Sequence, residues 1–456
     1  MTVSEYLTSI KNKRVAVIVI GVSNTTLIRM LLRAGIHVTA CDKSSREDLG
    51  GVAEELESLG ARLKLGEDYL SGLTQDVVFR TPGLRPDVPA LEAARARGAE
   101  ITSEMEVFFR VCPCKTIAVT GSDGKTTTTT IIAELLKAAG YNVYVGGNIG
   151  KPLLPDAAGM EKEDVAVLEL SSFQLMTMSQ SPDVAVVTNV TPNHLDVHKS
   201  MSEYIAAKEN IFTHQTPQGA AVFNQDNDIT RGFAAQAAGR SICFSRREEL
   251  PHGVYLKEEA IWFRDRKVLP LSDILIPGVH NVENYMAAIA AVEGMVSDEV
   301  ICKVAKTFQG VEHRIELVRT LDGVRYYNDS IASSPTRTIA GLRSFQEKVI
   351  LIAGGYDKKI PFDELGVEIT KHVKVLVLTG DTAPKIRAAV EAVDGYTGVD
   401  PEILEFDDFK QAVLTASHVA QPGDVVILSP ACASFDRFKN FMIRGEAFKK
   451  IIYELE

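Results

Sequence analysis

Paired cysteines are missing from this chain. Its 6 cysteines stand singly as Cys41, Cys112, Cys114, Cys243, Cys302 and Cys432. Cys112-Pro-Cys114 comes nearest to a motif, but one intervening residue and no second pair do not make a metal-ligand spacing. Reduced thiols in a cytoplasm are therefore expected. A long apolar run is also missing, since nothing approaches the roughly 18 residues that suggest a membrane span. The first residues, Met1-Thr-Val-Ser-Glu-Tyr6, lack a basic stretch followed by an apolar one, so no secretion signal is expected. Positive charge is in short supply: 49 Lys and Arg face 60 Asp and Glu, a formal net charge of −11. A nucleic-acid binder would show the opposite balance, whereas a protein kept in solution by its own charge fits. Low-complexity tracts and short-period repeats are absent too, which excludes solenoids and arrays.

What is present is an alternation. At 456 residues the chain has room for two to four domains, and its 45% apolar content is enough to fill several cores. Short β-branched runs at 14–20, 37–41, 77–79, 116–119, 142–145, 165–168, 184–187, 348–352, 373–378 and 424–428 predict strands. Amphipathic stretches between them, such as 126–139 before Gly140 and 383–393 before Gly395, predict helices. Strands alternating with helices imply parallel sheets covered on both faces, an α/β class. The pattern restarts after a polar helix at 103–110 with a linker at 111–114, and again after Phe308-Gln-Gly310. The expected domains are 1–104, 105–310 and 311–456: a Rossmann-like domain, a central P-loop ATPase-type parallel sheet and a second Rossmann-like domain.

The strongest local signal is Thr116-Ile-Ala-Val-Thr120-Gly121-Ser122-Asp123-Gly124-Lys125-Thr126-Thr127. A buried strand runs into a glycine-bearing turn and then a helix. Gly121 and Gly124 let successive N–H groups point inward, and the helix start adds its positive dipole. Lys125 would meet the β- and γ-phosphates and the Thr126 hydroxyl would meet Mg²⁺. The loop is a shortened form, because Val119 stands where the common motif has glycine. A phosphate loop alone leaves kinase, ATPase, switch and ligase open.

Downstream residues narrow the choice. Glu169 ends an apolar strand beside the loop, a position suited to holding Mg²⁺. His194 follows the end of the next strand, on the rim where α/β ligands bind. His198 and His214 lack that placement and read as surface. Lys208 sits on an amphipathic helix whose charged face would by itself be solvent. At the amino end, Asp42 follows Gly21 at dinucleotide-fold spacing. Ser23 and Thr26, however, replace the glycines of the NAD fingerprint, so hydroxyls and amides there suit a diphosphate rather than a redox cofactor.

Together these segments resemble the Mur ligase family, the ATP-dependent amino-acid ligases of peptidoglycan precursor synthesis, over nearly the whole chain. Thr120-Gly-Ser-Asp-Gly-Lys-Thr126 is similar to the family's phosphate loop, and Gly146-Gly-Asn148-Ile-Gly150, Glu169-Leu-Ser-Ser-Phe-Gln174 and Asn189…His194-Leu-Asp196 follow in the family's order. Ala206-Ala-Lys208 matches the lysine that the family carbamylates. His280-Asn281-Val-Glu-Asn284 resembles the adenine-side segment, and Glu312-His-Arg314 the arginine at the γ-phosphate. Within the family, Asn328-Asp329-Ser330-Ile-Ala-Ser333-Ser-Pro335, Gly354-Gly-Tyr-Asp-Lys358-Lys359 and the stretch 429–441 look like those of members that add D-glutamate.

The resemblance implies ATP and two Mg²⁺ ions (Mn²⁺ as a substitute), one near Thr126 and Glu169, the other near His194 and carbamylated Lys208. Asn281 and Asn284 would contact adenine, Asp329 the ribose, and Lys125 with Arg314 the transferring phosphoryl group. Thr127 completes the phosphate loop. UDP-N-acetylmuramoyl-L-alanine would be held by Ser23, Asn24 and Thr25 at its phosphates and by Asp42 and Lys43 at uracil. Thr81, Gly83, Asn148 and His194 would meet it further along. D-glutamate would meet Lys358, Ser333, Ser434, the backbone of Phe435, and Phe441. A cytoplasmic monomer with no nucleic-acid partner and no membrane insertion, closing on a hinge near 308–312, is expected. Two departures stand out: Ile331 replaces a lysine common among relatives, and Lys358 has a neighbour, Lys359, able to take its role. The alternatives are a sibling that adds another amino acid, a folylpolyglutamate-type ligase, and a nucleotide-dependent binding module without ligase chemistry.

Overall fold

The computed structural model describes residues 1–195 and 197–456; Asp196, within the predicted histidine segment, lies outside them. Three sheets form. The first is all parallel, in the order β3-β2-β1-β4-β5, built from β1 (Val15–Ile18), β2 (Val38–Asp42), β3 (Arg62–Leu65), β4 (Val77–Phe79) and β5 (Glu100–Thr102). The second has nine strands. Its parallel part comprises β6 (Lys115–Thr120), β7 (Val143–Gly147), β8 (Val165–Glu169), β9 (Val184–Val187), β10 (Ala220–Asn224), β11 (Arg240–Ser245) and β12 (Val254–Lys257). Antiparallel β13 (Ala260–Phe263) and β14 (Arg266–Pro270) extend one edge.

The third sheet has the order β15-β16-β20-β17-β18-β19. Its strands are β15 (Glu316–Leu321), β16 (Val324–Asn328), β17 (Val349–Ala353), β18 (Val373–Leu378), β19 (Glu402–Glu405) and β20 (Val425–Leu428), all parallel except β15. The chain divides into two compact units, Met1–Leu271 with Glu283–Val304, and Ser272–Val282 with Ala305–Glu456. Among the described residues no helix is long and apolar enough to cross a membrane.

The central strands are short because they need only cross a layer that helices cover on both sides. All residues of β1, β8, β9, β17 and β20 are buried, so the strands read as unbroken apolar runs rather than alternating ones. Leu351, Leu376 and Ile427 point to one face of the third sheet with Leu365, Ile369 and Ile386. Ile350, Val377 and Val426 point to the other with Phe448 and Ile452. At about 25 cal/mol per Å² of apolar surface, such burial is the main stabilising term in each unit.

Three expectations need correction. The helix Glu104–Val111 is not a polar surface helix: Met105, Val107, Phe108 and Val111 are buried, and so are Glu104 and Glu106. Its apolar side joins the core that holds Ala118, Leu153 and Leu154, so 111–114 is packed backbone rather than a free linker, with Cys114 buried too. His198 is 2% exposed instead of lying on the surface. Its imidazole stacks on Phe173 with centroids 5.2 Å apart and shares a hydrogen with Ser172 Oγ at 2.9 Å, neighbours too distant in sequence to be foreseen.

Candidate active site

The first unit gathers its candidate residues on one rim. Strand β6 lies between β8 and β9, with Val119 beside Glu169 and Thr120 beside Val187, so the phosphate loop, Glu169 and the segment after β9 leave the sheet together. The loop closes onto helix Lys125–Ala138, whose N-cap Gly124 has φ 77°. A Cβ there would meet Asn284 Oδ1 at 2.4 Å, and one on Gly121 (φ 155°) would meet Thr188 Oγ1 at 1.9 Å. Both positions are thus closed to side chains by conformation and by space.

Neighbouring side chains hold the loop's shape. Thr188 Oγ1 donates to Asp123 O at 2.6 Å, and Asp123 N donates to Asn189 Oδ1 at 2.9 Å. Ser122 Oγ donates to Thr191 O at 2.9 Å and lies 3.0 Å from the Tyr204 hydroxyl. Lys125 Nζ donates to Gly121 O and Ser122 O, both at 2.9 Å, folded over the loop that would receive phosphate. Thr128 Oγ1 donates to Asn284 Oδ1 at 3.2 Å, which sets Asn284 beside the loop.

Oxygen ligands suited to a hard cation stand at the same rim. Thr126 Oγ1 donates to Glu169 Oε2 at 2.7 Å, and Asn148 Nδ2 donates to Glu169 Oε1 at 2.8 Å. A hydroxyl and a carboxylate so placed fit Mg²⁺, which takes carboxylate and phosphate oxygens and keeps several waters. His194, at φ 55°, is exposed and meets Phe173 edge-on at 5.2 Å.

Lys208 is only 1% exposed. Its Nζ donates to Gly121 O at 2.7 Å and Thr120 Oγ1 at 3.4 Å, and lies 4.7 Å from the centre of the Tyr204 ring. Burial, helped by the nearby charge of Lys125, pushes its pKa well below that of an ordinary lysine, with Asp123 and Glu169 opposing. Burial favours the neutral amine, which is a nucleophile where an ammonium is not.

The residues assigned to the uridine nucleotide have more internal work than expected. Asn24 Nδ2 donates to Ile18 O at 2.8 Å and Val19 O at 3.0 Å, and Asp42 accepts from Ile20 N at 2.5 Å and Ser44 N at 2.8 Å. Thr25 is buried while Ser23 is exposed at the start of helix Val22–Arg33. Lys43 is exposed and lies 3.4 Å from Glu67. Thr81 and Gly83 lie in a loop gripped by Arg80, a fully buried residue that the sequence did not single out. Its guanidinium donates to Leu84 O at 3.1 Å, Phe173 O at 3.1 Å and Thr177 Oγ1 at 2.8 Å.

The second unit gathers its own candidates around the carboxyl ends of β16, β17 and β20. Asp329 is 4% exposed; its Oδ2 accepts from Ser429 Oγ at 2.7 Å and its Oδ1 from Ile315 N at 3.3 Å. Burial pushes its carboxyl up to about 7, against the pull of Ser429 and Arg314. Arg314 is exposed between two residues with positive φ, His313 at 63° and Ile315 at 45°. His313 is held by Asn328 Nδ2, 2.9 Å from its Nδ1. Asn281 donates to Pro277 O at 2.5 Å.

Lys358 Nζ donates to Ser333 O at 3.4 Å, whereas Lys359 pairs with Asp357 at 2.9 Å. Tyr356 and Phe435 meet edge-on at 5.9 Å, with Phe435 63% exposed and Ser434 buried. Phe441 O accepts from Ser330 Oγ at 2.8 Å. Arg444, another residue not singled out, ties these loops together by donating to Ser330 O, Cys432 O and Ala433 O at 2.9, 3.0 and 3.1 Å. Arg337 Nη1 donates to Ile331 O at 3.2 Å, putting a guanidinium beside Ile331.

A cavity of about 440 Å³ opens elsewhere, at the amino ends of β6, β9, β10 and β11 among Cys114, Lys115, Asp183 and Arg240. It lies at the opposite end of the strands from the phosphate loop and brings none of the candidate residues together.

A phosphate loop at the end of a central parallel strand, with an acid and a buried lysine on its rim, defines a P-loop nucleotide-binding protein. The chain belongs to the Mur ligase family: residues 119–292 match the Mur ligase middle domain and residues 313–432 the Mur ligase glutamate ligase domain. It is 55% identical over 460 residues to the UDP-N-acetylmuramoylalanine–D-glutamate ligase of Acetivibrio thermocellus, covering 99% of each chain. Against the enzyme of the same name from Clostridium beijerinckii it is 53% identical over 453 residues, again with 99% of each covered. Among solved structures, a MurF from Acinetobacter baumannii shares the fold at 18% identity, with a TM-score of 0.62 over 97% of this chain and 98% of that one.

Proposed function

We propose that this chain joins D-glutamate to UDP-N-acetylmuramoyl-L-alanine at the expense of ATP, in peptidoglycan precursor synthesis. Full-length identity above half to ligases of that name is the observation that carries the reading. The substrate carboxylate attacks the γ-phosphorus, and the bond from phosphorus to the ADP oxygen breaks. The amine of D-glutamate then attacks the carbonyl carbon of the acyl phosphate. The resulting tetrahedral intermediate expels phosphate as the nitrogen loses a proton, leaving an amide.

In this reading Lys125 and the backbone of Gly121, Ser122, Asp123, Gly124, Thr126 and Thr127 cradle the phosphates, and Arg314 meets the γ-phosphoryl charge. Asn281 and Asn284 face adenine, and Asp329 the ribose. Ser23, Asn24, Thr25, Asp42, Lys43, Thr81, Gly83, Asn148 and His194 meet the UDP substrate. Lys358, Ser333, Ser434, Phe435 and Phe441 meet D-glutamate, whose two carboxylates call for a cation and fixed donors. Thr126 with Glu169, and His194 with Lys208 as its carbamate, would hold two Mg²⁺ ions. Bound there, Mg²⁺ supplies neutralising charge at the phosphate oxygens. The three-domain division at 1–104, 105–310 and 311–456, a monomeric state and a cytoplasmic location belong to the same reading.

Phosphate release from MgATP in the presence of UDP-N-acetylmuramoyl-L-alanine tests it, with D-glutamate, L-glutamate, L-alanine, lysine and diaminopimelate offered in turn. Release that depends on D-glutamate is expected. Dependence on another amino acid would keep a ligase and overturn the specificity; ATP binding without release under any condition would leave a binding module.

A further inference from the structure

A compact ionic cluster joins the loop at 81–87 to the segment that leads into Lys208. Arg85 Nε and Nη2 donate to the two carboxylate oxygens of Asp87 at 2.9 and 3.0 Å. Nη2 also donates to Glu203 Oε1 at 2.8 Å, and Nη1 donates to Glu203 Oε2 at 3.1 Å and Val197 O at 2.7 Å. Glu203 Oε2 in turn accepts from Lys199 N at 2.7 Å and lies 3.6 Å from His198 Nδ1, while Lys199 Nζ pairs with Asp87. The guanidinium therefore spends every N–H on two carboxylates and a carbonyl, a fork that a lysine cannot reproduce.

Residues 81–87 and 197–200 are irregular backbone, the second stretch leading into helix Met201–Glu209, and both lie beside candidate residues. Thr81 and Gly83 precede Arg85 on one side. On the other, Glu203 and Lys208 share helix Met201–Glu209, and His198 reaches His194 through Phe173, which contacts both rings at 5.2 Å. The first end of the loop is fixed separately by Arg80 on Phe173 O and Thr177. We propose that Arg85 is a positioning residue: it locks the loop that receives the UDP substrate to the segment carrying His194 and Lys208, so that seating the substrate aligns its carboxylate for phosphoryl transfer. This rests on the ligase reading above. The Arg85 side chain is 20% exposed and those of Asp87 and Glu203 are 36% and 28% exposed, so water can reach the carboxylates left behind when the guanidinium is removed.

The test is steady-state kinetics on Arg85→Met, Arg85→Lys, Glu203→Gln and the double variant Arg85→Met/Glu203→Gln, with melting temperatures measured alongside. Arg85→Met is expected to raise KM for the UDP substrate and lower kcat, each about tenfold, with KM for ATP within about twofold of wild type. Arg85→Lys should recover only part of the loss. The double variant should be no worse than Arg85→Met, because both changes cut one coupling. Unchanged kinetics in a folded Arg85→Met variant would overturn the proposal. So would additive losses in the double variant, or a fall in melting temperature with all KM values rising together. A wild-type chain that does not ligate takes the ligase reading down with it, whereas active wild type beside unaffected variants defeats the clamp alone.

Discussion

Lys208 shows how far a single side chain can depart from its default chemistry. Its helix, read alone, offers a charged face to solvent, and nothing in the spacing of 201–209 says that the lysine is buried against the phosphate loop. The burial depends on Tyr204 and Gly121, which are distant or undistinguished in sequence, so only the family resemblance marked the residue. Burial lowers its pKa well below that of an ordinary lysine, and the neutral amine, unlike the ammonium, is the form that can add CO₂. Lys208→Ala is expected to lower ligation at least a hundredfold, on the order of 3 kcal/mol at the transition state. For the wild type, activity should fall as pH drops, because protonating the amine removes the nucleophile and releases CO₂. Added bicarbonate should restore it at neutral pH. An Ala variant that keeps wild-type rates, or activity indifferent to CO₂ depletion, would count against this role.

At the scale of elements, the strands that were legible are the central ones. Runs such as 165–168 and 184–187 are apolar throughout because both faces of their sheets are covered, and a short unbroken β-branched run is the plainest signal a sequence carries. Strand β12 and the antiparallel β13 and β14 that follow it escaped notice for a turn-level reason. Their first hairpin reverses at Glu258 and Glu259, both with positive φ, where Asn-Gly would have announced the turn. Helix Glu104–Val111 was misjudged because its two buried acids look like surface charge.

Glu104 is informative in its own right. It accepts from Leu154 N at 2.8 Å, and burial outweighs that bond, raising its carboxyl to about 7. A folded-state value above the unfolded one means that its favourable contribution is complete below pH 4.5 and is lost as pH rises through about 7. Glu104→Gln, which keeps an acceptor but carries no charge, should therefore gain up to about 3 kcal/mol relative to wild type at pH 8 and little at pH 4. Denaturant unfolding at the two pH values measures the difference. An equal effect at both would show that Glu104 does not titrate between them.

Across the whole molecule, the α/β class and the phosphate loop were readable because each rests on contiguous residues. The other candidate residues were not, since within each compact unit they come from the ends of several strands far apart in sequence. Asn284 belongs to the first unit while Asn281, Arg314 and Asp329 belong to the second. Structural arginines such as Arg80, Arg85 and Arg444 carry no motif, and their roles appear only once the loops they hold are in place. In the proposed reaction these parts activate a carboxylate as an acyl phosphate. The most direct measurement uses UDP-N-acetylmuramoyl-L-alanine labelled with ¹⁸O in its carboxylate, ligated to D-glutamate with unlabelled ATP, followed by mass spectrometry of the released phosphate. One ¹⁸O is expected in each phosphate, carried over when the acyl phosphate breaks. Unlabelled phosphate formed alongside amide product would contradict it.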